Sequence, residues 1–158
     1  MASEVELPLS DGTFCLIDSD DYERVASHRW FANSYGYMVG KIGGRQVRLS
    51  RFLLDAPAGM EVDHINRDVR DNRKDNLRIC THSQNQHNKG KMVPTSSRFK
   101  GVTWNKQRKR WRSYIFHDGR QEHLGFFTQE KDAARAYNAK ALELWGVFAC
   151  TNENGGKP

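Results

Sequence analysis

The sequence predicts an α+β protein in two parts, and three observations lead there. Residues 60–89, MEVDHINRDVRDNRKDNLRICTHSQNQHNK, alternate a short apolar run, a polar loop, a second apolar run and a capped helix. Residues 98–152 contain three strand-like runs followed by one long Ala-rich helical pattern. Between them lies GKMVPTSS (90–97), small, polar and proline-containing, which reads as a linker over 91–97.

Taken in order, residues 1–59 read as a small β-rich scaffold. Asp11-Gly12 turns one strand of a Glu4–Ile17 pair into the next. Ser19-Asp20-Asp21 opens a short helix through Ala26. Trp30 to Val39 is aromatic, is broken by Gly36, and reads as a hairpin. Gly43-Gly44 turns it back into Gln46–Leu49, and Ser50–Leu54 is one helical turn before Pro57. None of this has catalytic spacing, His28 included. Its expected task is to pack against 60–89, since a lone ββα segment is too small to bury a core.

The 60–89 stretch carries the chemistry. Asp63-His64 closes the first apolar run, and Leu77–Cys80 forms the second. Thr81 with Gln84 three residues on is a capping-box pattern. It opens a helix carrying Asn85, with His82 and Asn88 on the Asn85 face and His87 on another. Phosphodiester hydrolysis requires an activated water and positive charge near the leaving oxygen. A histidine suits the first task, and a hard divalent ion with few protein ligands suits the second. On that chemistry His64 is the general base, Asp63 the anionic metal ligand and Asn85 the neutral one. Asn76 braces the loop that orients His64.

The order and spacing of Asp63-His64, Asn76 and Asn85 resemble the HNH endonuclease motif, in the form where an Asn replaces the last His. The layout ID-x-x-DYE followed by a Trp (17–30) is similar to the leader of phage and bacterial HNH proteins. The resemblance implies a ββα-metal nuclease fold over residues 1–90. It also implies one divalent ion, Mg²⁺ or else Mn²⁺, and the roles just given to the four residues.

After the linker, strands are expected at Phe99–Trp104, Arg110–His117 and Gln121–Phe126, with Asp118-Gly119 turning the last two. Thr128 is expected to cap a helix through Trp145, stopped by Gly146. FKGV (99–102), Trp111, LGFF (124–127) and AARAYNAKAL (133–142) ending in WG resemble the AP2 DNA-binding domain, a three-stranded antiparallel sheet packed by one helix. Alternation sends Trp111, Ser113 and Ile115 to the helix side and Arg112, Tyr114 and Phe116 to the other. The resemblance places Lys100, Thr103, Arg112, Tyr114, Phe116, Gln121 and His123 towards DNA. Lys106 and Arg108, with Lys109 and Arg110, are phosphate contacts in a hairpin loop. Thr103, Phe116 and His123 stand where plant AP2 domains carry arginines and a tryptophan, so the target sequence of those domains does not transfer.

Composition agrees with an anionic partner. The formal net charge is +6, and it is uneven: Lys+Arg 12 against Asp+Glu 13 through Lys89, then 13 against 6 from Gly90. Mean hydropathy is -0.80, no apolar run reaches membrane-span length, and the start MASEVELPLSDG has no signal-peptide character. A cytoplasmic protein is expected. Cys15, Cys80 and Cys150 are odd in number and form no CxxC, which argues for buried small hydrophobes and against a structural zinc site. The expected function is metal-dependent nicking or cleavage of double-stranded DNA, as a homing-type endonuclease of a phage or mobile element. The alternative is a catalytically inactive, sequence-specific DNA-binding protein. RNA fits less well, because the AP2-like sheet suits the DNA major groove better than the narrow one of A-form RNA.

Overall fold

The structure, a computed structural model, describes residues 3–90 and 96–153. It divides into two compact units, Met1–Asn85 and Gln86–Pro158. The division falls five residues earlier than the sequence places it, inside the capped helix. Residues 91–95 of the expected linker lie outside the described residues, but Ser96 and Ser97 are not linker. Ser97 is buried and donates to Glu130 (2.7 Å), and Ser96 Oγ accepts from the Trp104 amide (2.6 Å). Both belong to the second unit, because their hydroxyls satisfy its strand and helix ends.

In the first unit, β1 (Glu4–Pro8) and β2 (Phe14–Asp18) form the expected hairpin, with Leu7 opposite Cys15 and Val5 opposite Ile17. A 3-10 turn leads into α1 (Tyr22–Ala26). A three-stranded antiparallel sheet follows: β3 (Trp30–Ala32), β4 (Met38–Ile42) and β5 (Arg45–Arg48), ordered β3-β4-β5, and then α2 (Leu49–Leu53). The period-2 pattern sends Trp30 and Met38 inward to join Leu7, Ile17, Val25, Leu49, Leu53, Val62 and Leu77 in one core. Burying each such aliphatic side chain stabilises the fold by about 1.5–3 kcal/mol. Gly40 is required here: a Cβ would stand 2.8 Å from the ring of Trp30, its cross-strand partner.

The same core receives β6 (Glu61–His64) and β7 (Leu77–Cys80), antiparallel with Asp63 opposite Arg78 and His64 opposite Leu77. Then comes α3 (His82–His87). Its capping box is present in both directions: the Gln84 amide donates to Thr81 Oγ1 (3.2 Å), and Gln84 Oε1 accepts from the Thr81 amide (2.8 Å).

The second unit is a sheet ordered β10-β9-β8, from β8 (Val102–Asn105), β9 (Arg110–His117) and β10 (Arg120–Phe127), with α4 (Glu130–Trp145) across it. Asp118 and Gly119 both have positive φ (49° and 72°), as the tight hairpin between β9 and β10 requires. Ala133, Tyr137 and Ala141 face the sheet, against Val102 and Ile115. Gly101 leaves room for that packing, since a Cβ would be 2.1 Å from the Tyr137 ring. Gln129, rather than the expected Thr128, is the residue at the helix cap, and it makes no side-chain cap bond. Gly146 ends the helix with φ 51°. Cys15, Cys80 and Cys150 are all buried. Among the described residues no helix is long and apolar enough to cross a membrane.

Candidate active site and nucleic-acid face

Why does the polar stretch after His64 hold a fixed shape? Its Asn and Asp side chains replace the missing ladder with local bonds. Asn76 Nδ2 donates to Asn66 Oδ1 (3.0 Å) and to the Asp71 carbonyl (2.7 Å), while Asn76 Oδ1 accepts from the Asn66 amide (2.9 Å). Asp71 sits in the fork of Arg73 (2.8 Å at both oxygens) and accepts from Asn66 (2.9 Å). That fork, first of all, holds the Asp71 carboxyl below its usual range. The loop is also sewn to β2: Leu16 donates to the Arg70 carbonyl, Asn72 donates to the Leu16 carbonyl (both 2.8 Å), and the Arg70 side chain reaches the Phe14 carbonyl (2.9 Å). Arg73 pairs with Glu4, and Lys74 with Asp21. The scaffold residues thus shape the loop as well as burying it.

His64 ends β6, 5 % exposed, with its Nε2 3.1 Å from Asn72 Oδ1. The Asn72 Nδ2 donates to the Val69 carbonyl (3.1 Å), so Oδ1 is the acceptor facing the ring. The proton therefore belongs on Nε2, and Nδ1 is the basic nitrogen. Burial, against the Asn72 bond and the Asp63 charge, holds the imidazole below its ordinary value. The ring is neutral at neutral pH, the form a general base needs.

Asp63 points away from that pocket, to the β6 face that α3 covers. Arg78, its cross-strand partner, donates to its Oδ2 from Nε (2.8 Å) and NH2 (2.5 Å). Two residues earlier on the same face, Glu61 accepts from Asn85 Nδ2 (2.5 Å) and contacts His82 Nδ1 (2.7 Å). Asn85 first, then His82, keeps the Glu61 carboxyl below its usual range. Three participants were missed by the sequence reading. Glu61 was discoverable, since alternation from Asp63 puts it on the same face. Asn72 and Arg78 were not, being single members of a stretch rich in Asn and Arg.

On the second unit, register gathers most of the expected nucleic-acid residues on the sheet face opposite α4. Thr103 lies across from Arg112, Tyr114 from His123, and Phe116 from Gln121. Arg112 donates to Gln121 (2.6 Å) and lies over the Tyr114 ring (5.5 Å), while Tyr114 meets Phe116 edge-on. Lys106 and Arg108 occupy the β8–β9 turn, where Arg108 lies over Phe126 (4.8 Å). Phe126, opposite Arg112 and tilted against His123, belongs to this face and was not singled out from sequence. Lys100 departs from expectation. It precedes β8, donates to the Lys89 carbonyl (2.6 Å) and lies over Tyr137 on the helix side, because the turn at Gly101 carries it off the outer face.

These features define the class. The family model described as HNH endonuclease matches residues 55–87, the span from the end of the scaffold through α3. An uncharacterised HNH endonuclease of Acanthamoeba polyphaga mimivirus is 31% identical over 148 residues, covering 90% of this chain and 76% of that protein. The chain belongs to the HNH endonucleases. Protein 3.8 of Escherichia phage T7 is 30% identical over 93 residues, 59% of this chain and 76% of that protein. A third relative covers a shorter stretch. The APETALA2-like protein 2 of rice is 41% identical over 59 residues, 37% of this chain but only 14% of its own length. No solved structure matches the chain significantly.

Proposed function

We propose that this protein is a metal-dependent endonuclease of the homing type, which nicks or cleaves double-stranded DNA by phosphodiester hydrolysis. Targeting falls to an AP2-like sheet, residues 98–152. The observation that carries the reading is the buried His64, its tautomer fixed by Asn72 and its Nδ1 left as base one residue from Asp63. In this mechanism His64 takes the proton of the attacking water. Asn72 holds the ring, and Asn76 holds the loop that presents Asn72.

The donor set fits a hard divalent cation, because Asp63, Asn85 and Glu61 offer only oxygen ligands and net negative charge. Among the described residues no three His, Cys, Asp or Glu side chains gather as a metal centre, so the reading rests on a site with few protein ligands. Asp63 and the Asn85 amide oxygen would hold Mg²⁺ or Mn²⁺. When bound, the ion supplies positive charge near the leaving oxygen.

The targeting role is supported by the 41% identity to a plant APETALA2-like protein and by the cationic, aromatic outer face of β8–β10. Viral and phage relatives fit a phage-encoded or mobile gene acting in the host cytoplasm.

A second reading draws on one observation. Arg78 already neutralises Asp63 and competes with a cation, as in a DNA-binding protein whose ββα unit serves only as scaffold. Incubating the full chain with a random-site duplex library, in Mg²⁺, Mn²⁺ or chelator, and sequencing the ends separates the two. Metal-dependent ends support the nuclease. Binding without new ends under either metal supports the scaffold.

A further inference from the structure

The sequence assigns the protein's positive charge to its C-terminal half, and the nuclease unit as a whole is close to neutral. Its charge is not evenly spread, however. From residue 27 to residue 54 there are five Lys and Arg and no Asp or Glu. The greater part of this run, residues 30–48, is the β3-β4-β5 sheet, and the strand register sorts it by face.

Trp30, Met38 and Gly40 face the core. The opposite face therefore carries Phe31, Val39 and Arg48, joined in a row across both ladders with Val39 itself buried, and Lys41 paired with Gln46. Alternation adds Arg29 and Tyr37 to it. Arg29, Phe31, Lys41, Gln46 and Arg48 are all exposed, and Tyr35 stands 83% exposed at the hairpin tip. The Arg48 guanidinium lies over the Tyr37 ring at 4.2 Å, so it is held in place by an aromatic rather than neutralised by an acid. Among the described residues none of Arg29, Lys41 and Arg48 belongs to an ion pair. The face also runs towards the active site: Arg48 leads directly into α2, which packs against β6, the strand that carries Glu61 and Asp63.

The geometry points to this outer face, centred on Arg29, Lys41 and Arg48 with Phe31 and Tyr37 between them, as a duplex-DNA backbone surface belonging to the nuclease unit itself. It rests on the endonuclease reading and adds to it. The strand to be cut is held beside Glu61 and Asn85 by the unit that cuts it. Affinity on such a surface comes from phosphate neutralisation and carries no sequence information.

The test uses the full chain and a random-sequence duplex in chelator, with anisotropy read across salt concentrations. The Arg29→Gln, Lys41→Gln, Arg48→Gln variant should bind more weakly, with its log–log salt slope shallower by about 2.7, which is three phosphates at -0.9 each. Arg29→Lys with Arg48→Lys should keep the wild-type slope. A measurement on the unaltered protein guards against misfolding: duplex DNA should slow acetylation of Lys41, relative to Lys131 on α4, by several-fold. Metal-dependent cleavage by the wild type reports separately on the nuclease reading. If the wild type cuts DNA while the Gln variant keeps its slope and Lys41 gains no protection, this surface is not the contact. If the wild type neither binds nor cuts, the endonuclease reading falls, and this inference with it.

Discussion

The pocket around His64 and the outer face of β8–β10 are built on opposite principles. The pocket is polar and closed: His64, Asp71, Asn72 and Asn76 are all buried, and each has a named partner. The sheet face is cationic, aromatic and open, with Phe116 62% exposed. A group that must move a proton needs one fixed orientation, so its neighbours sacrifice solvent for geometry. A surface that meets a long polyanion needs reach and flat apolar area, so it stays exposed. Buried polar atoms are costly to orphan, whereas exposed ones are cheap to change. That difference sets the order of effects expected on breaking each region.

The largest loss is expected from His64→Ala, which removes the proposed base. Cleavage of plasmid DNA should fall by roughly 10²–10⁴-fold with duplex binding retained. Wild-type cutting by this variant would remove His64 from the mechanism. Asp63→Asn should come next. Loss of the anionic ligand should raise the Mg²⁺ concentration needed for half-maximal rate, with Asn85→Ala doing so more mildly. A metal titration that neither variant shifts would place the ion elsewhere.

Asn72→Ala probes positioning. It strands the buried Nε2–H, at about 1–3 kcal/mol of stability, and frees the ring to turn. The expected signature is a lower kcat at unchanged KM in protein that still folds by circular dichroism. Equal effects on both constants would make Asn72 structural only.

On the open face, Arg112→Ala or Tyr114→Ala should leave the fold intact and change which sequences are preferred, each lost base contact costing about 1–3 kcal/mol of discrimination. Selection on a random-site library reads this directly, and an unchanged preference would move sequence reading off the sheet.

The smallest effect is a pH dependence. Glu122 first, then Asp118, raises the His117 value above its ordinary 6.5, and His117 in turn lowers Glu122 below 4.5. The His117 contribution is present below 6.5 and fades as pH rises through the raised value. The Glu122 contribution is present above 4.5 and fades as pH falls through the lowered value. Melting of the C-terminal unit should therefore be highest between those limits, by a small margin because the Glu122 side chain stays 38% exposed. His117→Ala should flatten that profile.

What the sequence determined by itself was local. The Thr81–Gln84 box, the Asp118-Gly119 turn and the alternation along β9 each depend on residues a few positions apart, where backbone period fixes the geometry. Tertiary structure decided what lies far apart in the chain or is chosen among equals. Several Asn and Asp residues between 65 and 76 could have held His64, and the pairing of Asn72 with Leu16 of β2 selected Asn72. Nothing in the order of residues put Arg78 on Asp63 or Asn85 on Glu61; strand register and helix packing did. Lys100 looked outward by motif until the turn at Gly101 carried it to the helix side. A net charge near zero likewise hid the cationic sheet of the first unit: residues 27–54 hold no acid, but a sum over a chain contains no faces, and strand register is what put Arg29, Lys41 and Arg48 on one face.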